Sequence, residues 1–224
     1  YKYMFAVLST SEYYLAPVLD IMADKAKAMG KNPADLRISM AFENDGFSLD
    51  VRAGVVDKAK EHGMKIVIDD KLPADLSDMS ATLTKTKALK PDILLVSGHS
   101  KGAATAARQI EEMKIDVPLI AYTHCEAAKV QEKFPKSANG VMCPTQWLSN
   151  LPKRDDYFGD AAKWNSDFKK AYPEYSVVPY QTAQASAAVL VFKDAFERAN
   201  SFDRDKVRDA LAATDMETFY GDIK

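Results

Sequence analysis

Between Leu36 and Pro144 the chain alternates apolar runs with amphipathic stretches. Leu36-Arg-Ile-Ser-Met-Ala-Phe42 predicts a strand, and Ser48 to His62 predicts a helix. Within that helix Leu49, Val51, Val55, Val56 and Ala59 recur near the i, i+3, i+4 spacing that collects side chains on one face. Gly63 stands where a helix C-cap calls for a left-handed residue. Lys65 to Ile68 reads as the second strand and Met79 to Leu89 as the next helix, ended by Lys90-Pro91 because proline cannot continue it. Asp92 to Val96 is the most clearly buried strand. A helix from about Gly102 to Met113, a strand at Pro118 to Tyr122, a short helix near Ala127 to Phe134 and a β-type run at Gly140 to Pro144 follow. Strands that are apolar throughout, separated by helices, predict an α/β fold with a doubly wound parallel sheet.

After Trp147 the pattern changes. Ser149 to Tyr157 is polar and contains proline, so it reads as a connection. Phe158 to Tyr172, Pro179 to Ala199 and Asp203 to Ala213 read as helices with no strand between them. Three helices cannot complete a sheet, so they are expected to cover one whose strands lie mostly outside this chain. The boundary falls near Pro144 to Leu148. The opening Tyr1-Lys-Tyr has no initiator Met and runs directly into the apolar Tyr3 to Leu8, read as a strand. The chain is therefore expected to be a piece of a longer protein.

Composition narrows the function classes. The net charge is −2, with acidic and basic residues interspersed, which provides no broad attraction for nucleic acid or an anionic membrane. No apolar run reaches the roughly 18 residues of a membrane helix, so direct membrane insertion is not expected. Cys125 and Cys143 fit no metal spacing and no disulfide framework. They read as two buried free thiols, with pairing left open.

In open parallel sheets, ligands bind beyond the carboxyl ends of the strands. Those ends hold Glu43, Asn44, Asp45 and Phe47, then Ser97, Gly98, His99 and Ser100. Tyr122, Thr123 and His124 follow, then Thr145, Gln146 and Trp147. Gly98-His-Ser-Lys-Gly102 matches the G-x-S-x-G pattern of a nucleophile elbow. Only His124 follows Ser100, and the intervening Asp116 precedes a strand, so the hydrolase order of triad residues cannot be assembled. His99, His124 and Cys125 are zinc-ligand types without paired spacing; no metal or cofactor is expected. No phosphate-cradling glycine loop occurs. What remains is a crest of aromatic, hydroxyl and imidazole groups, the composition of a small-molecule pocket.

Four segments in order carry a family resemblance: Lys90-Pro-Asp-Ile-Leu-Leu-Val-Ser-Gly-His99, Gly140-Val-Met-Cys-Pro-Thr-Gln-Trp147, Pro179-Tyr-Gln-Thr-Ala-Gln-Ala-Ser-Ala-Ala188 and Ala213-Thr-Asp-Met-Glu-Thr-Phe-Tyr-Gly221. The chain resembles the Leu/Ile/Val-binding-like solute-binding proteins of ABC importers, with the type I periplasmic binding fold. The resemblance implies that residues 8–145 form a second lobe, while 1–7 and 146–224 are crossings and helices of an incomplete first lobe. It also implies a periplasmic location, an ABC permease as partner, no catalysis, and an organic ligand such as an amino acid or aromatic carboxylate held between lobes. Matching site positions are Phe47, His99 or Ser100, and His124, with Tyr122 and Trp147 as weaker candidates. His124 stands where the family places an acid against the ligand's ammonium, which suits a carboxylate, amide or aromatic acid better, while Glu126 is near enough to keep an amino acid in play. The alternatives are a ligand-sensing module of the same fold and a serine hydrolase using Ser100.

Overall fold

The computed structural model describes residues 2–126 and 128–224. The chain divides into two compact units, a larger one of Ser9–Pro144 and a smaller one of Tyr1–Leu8 with Thr145–Lys224. The larger unit contains α1 (Ala16–Ala28), β1 (Arg37–Glu43), α2 (Gly46–His62), β2 (Lys65–Leu72), α3 (Ser80–Leu89), β3 (Ile93–Ser97), α4 (Ser100–Glu112), β4 (Leu119–Tyr122), α5 (Ala128–Lys133) and α6 (Pro135–Ala138).

Its sheet is parallel in the order β2-β1-β3-β4, with Ile38 opposite Ile93 and Ile93 opposite Leu119. The strand order reverses between β1 and β3, which makes their carboxyl ends a topological switch point. Successive side chains leave opposite faces. Ile38, Met40, Phe42, Ile93 and Leu95 pack with Leu19 of α1 and Val51 and Val55 of α2. Ala41, Leu94 and Val96 pack with Leu83 of α3 and Ala103, Ala106 and Ile110 of α4. Two covered faces explain why β1 and β3 are buried at nearly every position. Gly63 caps α2 in the left-handed region at φ 70° and its N–H donates to the Ala59 and Lys60 carbonyls.

The smaller unit holds β5 (Arg154–Asp155), β6 (Gly159–Asp160), α7 (Ala161–Ala171), α8 (Tyr180–Ala199), α9 (Arg204–Ala212), β7 (Met216–Thr218) and β8 (Gly221–Ile223). Trp147, Trp164, Tyr180, Leu190 and Phe219 form its core.

The structure corrects several expectations. The fifth β-type run contributes only one parallel bridge, Ala121 to Met142, because Gly140 turns at φ 83° and Pro144 has no N–H to extend the ladder. The region after Trp147 is not strand-free: β5–β6 and β7–β8 are short antiparallel pairs. α7 starts at Ala161, not Phe158, because the Asp160 side chain accepts from the Lys163 N–H and so caps the helix there. Tyr3 to Leu8 is not a strand, and no described strand lies beside it to pair. Ala127, the expected start of a short helix, lies outside the described residues. Cys125 and Cys143 are not free thiols but a disulfide, with Cα atoms 5.6 Å apart. The bridge between Ala121 and Met142 aligns the two segments just before each cysteine, which sequence spacing cannot reveal.

Candidate functional site

The site is built from the ends of β1, β3 and β4. Asp45 caps α2, its carboxylate accepting from the Ser48 N–H at 2.9 Å, and so fixes where the next turn carries Phe47. After β3 the chain turns through Gly98 into His99, which precedes the first residue of α4. After β4, Thr123 donates to the Gly98 carbonyl at 2.6 Å and accepts from the Gly98 N–H at 3.0 Å. That reciprocal pair locks the β3 and β4 crests together.

Three predicted site residues meet there. The Phe47 ring lies 5.4 Å from His99 and 5.7 Å from His124, and the two imidazoles are 5.7 Å apart. Tyr14 meets Phe47 edge-on at 5.2 Å. His99 is exposed, whereas Phe47 and His124 are half-buried. His124 has φ 59°, a left-handed conformation that costs a non-glycine residue about 1–3 kcal/mol and persists where surroundings enforce it. The enforcing contacts are its Nδ1, 2.9 Å from the Gly98 carbonyl, and the neighbouring disulfide.

That hydrogen bond assigns the ring's chemistry. A carbonyl only accepts, so Nδ1 carries a proton and donates. Burial, with the nearby His99 assisting against the Gly98 bond, holds the His124 pKa below its ordinary value. The neutral ring therefore has Nε2 as an acceptor.

Glu43, the last residue of β1, stands among the strand-end residues but was not singled out by the sequence. It is 1% exposed, and one of its oxygens, Oε2, has no hydrogen-bond partner. Burial, then the neighbouring Asp45, pushes its pKa up to about 7. A Cβ on Gly98 or Gly102 would lie 2.5 Å from Oε1. The two glycines of the apparent elbow are thus the space that this carboxylate occupies, the one sequence clue to it.

The whole chain, residues 1–224, matches the model of a family described as periplasmic binding protein. The chain belongs to that family. Among curated relatives it is 22% identical over 112 residues to Leu/Ile/Val-binding protein homolog 8 of Brucella abortus, covering 50% of this chain and 28% of the relative. A leucine-binding protein LivK from Thermotoga maritima shares its fold with TM-score 0.81 and 20% identity, over 100% of this chain and 60% of that one. A solute-binding ABC transporter protein from R. palustris, solved with benzoate, matches with TM-score 0.74 and 15% identity over 96% and 56% of the two chains. The chain thus spans 28–60% of the length of these relatives.

For this periplasmic binding protein the remaining sequence candidates fare differently. Ser100 is exposed as the first residue of α4, and no hydrogen bond among the described residues joins it to a histidine. The Nδ1 position that an orienting acid would occupy on His124 is taken by the Gly98 carbonyl. Tyr122 is 0% exposed in the core against α3 and α4, where its hydroxyl has no hydrogen-bond partner; burial pushes its phenol up to about 12. Trp147 is likewise a core residue: it is 4% exposed, and its Nε1 donates to the Phe219 carbonyl at 3.1 Å.

Proposed function

We propose that the chain is the solute-recognising part of an extracytoplasmic receptor that delivers a small organic molecule to an ABC permease. The observation that carries the reading is the Phe47–His99–His124 cluster at the switch point of the larger unit's sheet. An apolar ring bordered by two imidazoles suits a solute with an apolar body and a few polar groups. Family membership and the absence of a helix long and apolar enough to cross a membrane, among the described residues, accord with a receptor that works beside the permease.

The His124 tautomer bears on the ligand. With Nδ1 spent on Gly98, a neutral ring accepts at Nε2 and favours an ammonium or amide N–H over a bare carboxylate. Imidazole then takes the part that an acid plays in the relatives suggested by the sequence, so an amino acid or its amide is the preferred solute. Phe47 would cover the solute's apolar part.

A thermal-shift panel of amino acids, amides, aromatic carboxylates and dicarboxylates tests the reading. A solute at 100 times its Kd adds about 2.7 kcal/mol of stability, enough to move the midpoint by a few degrees. A selective shift with amino acids or amides is expected. A shift with benzoate-like acids alone would overturn the His124 assignment, and a flat panel would count against the receptor reading.

A further inference from the structure

Beside the aromatic cluster, Glu43, Asp45 and His99 each present a metal-ligand atom, all within 4.8 Å of one another. The three come from the end of β1, the cap of α2 and the residue before α4, so only the folded sheet assembles them. Glu43 provides an independent sign that something belongs there. It is 1% exposed and its Oε2 has no hydrogen-bond donor, while Oε1 fills the space that a Cβ at Gly98 or Gly102 would need. A buried carboxylate oxygen without a donor is costly unless a proton shared with Asp45 or a cation meets it. Asp45 brings a second carboxylate, held in place by the Ser48 N–H at 2.9 Å and the Ser48 hydroxyl at 3.3 Å. His99 brings Nε2 to 3.8 Å from Asp45 Oδ2.

We propose that Glu43, Asp45 and His99 form a binding site for a transition-metal dication of the zinc kind. Zinc takes imidazole and carboxylate ligands at about 2.0–2.2 Å in a tetrahedral set, so ligand atoms lie roughly 3.3–3.6 Å apart around it. The 3.8 Å between His99 and Asp45 closes to that with a small turn of an exposed ring. One nitrogen and two oxygens suit zinc or nickel, whereas calcium wants six to eight oxygens. Three protein ligands leave a fourth position for water at the crest.

The test titrates the oxidised full chain with ZnCl2, NiCl2, MgCl2 and CaCl2, without organic solute, by calorimetry and thermal melting. Its outcome is therefore separate from the solute reading. Zinc is expected to bind and to raise the melting midpoint reversibly with EDTA, while magnesium and calcium do neither. Glu43→Gln should abolish binding, and His99→Gln, at an exposed position that leaves folding intact, should weaken it by at least about tenfold. No zinc response in the native chain would overturn the proposal. So would equal affinity in His99→Gln, which would put the ion at another cluster such as Asp20, Glu61 and His62.

Discussion

In the smaller unit Trp164 stacks on Phe219 at 5.0 Å, and Trp147 meets both rings edge-on at 5.3 and 6.1 Å. Trp147 and Phe219 are 4% and 0% exposed, and the indole N–H is paired with a backbone carbonyl. In the larger unit the rings of Phe47, His99 and His124 are as close to one another, yet His99 is exposed and the other two are half-buried. His124 spends one nitrogen on Gly98 and keeps the other. Both clusters include residues that follow apolar runs, so position relative to a strand does not separate them. What separates them is whether an open face and an unspent polar atom remain. The first cluster has used both to build a core; the second has kept both.

The largest effects should come from breaking the buried cluster. Trp147→Ala removes a core indole and should cost about 3–5 kcal/mol in urea unfolding, whereas Phe47→Ala, already half-exposed, should cost about 1–2 kcal/mol. Equal losses would erase the distinction between core and crest.

The crest should also depend on its covalent staple, because both cysteines of the chain lie beside it. Replacing Cys125 and Cys143 by serine opens a link across 18 residues and should cost about 3 kcal/mol on the loop-closure estimate. Proteolysis should then cut first near His124, and unchanged susceptibility there would count against the staple.

A further contrast is in pH dependence. Folding raises the Glu43 pKa from 4.5 to about 7, so the folded state favours the protonated acid. Its contribution is fully present below pH 4.5, falls as pH rises, and is lost above about 7. The span is worth roughly 3 kcal/mol. Glu43→Gln should flatten that part of the stability profile, while Trp147→Ala should lower the curve without changing its slope. A Gln variant that keeps the native slope would assign the titration to another group.

Much of the larger unit could be read from its residues, for physical reasons that stop at the smaller one. β1, β3 and β4 were legible because strands covered on both faces carry apolar runs, and α2 because of its apolar spacing and Gly63, although its start at Gly46 came two residues before the expected Ser48. The two-residue β5 and β6 and three-residue β7 and β8 are too short to carry a period of two. The disulfide depends on strand alignment, and α1 was passed over although Val18, Leu19, Met22, Ala23 and Ala26 recur at helical spacing. In the candidate site, Phe47, His99 and His124 could be picked out as polar and aromatic residues just beyond strand ends, and the fold brings them together. Tyr122 and Trp147 matched the same description but face inward, and side-chain direction at a strand end is a tertiary property. Glu43 was passed over because its role depends on two glycines more than fifty residues away.

The histidine side-chain NMR spectrum reads solute recognition at the crest itself, because the chain has three histidines and His62 serves as an internal control. His62 contacts Asp20 at 2.7 Å, away from the crest. On titration with a solute that stabilises the protein, the His99 and His124 signals should shift in proportion to saturation. His124 should keep its Nδ1-protonated form, and His62 should not move. A solute that binds to saturation while His99 and His124 stay unperturbed would contradict the account and place recognition elsewhere in the molecule.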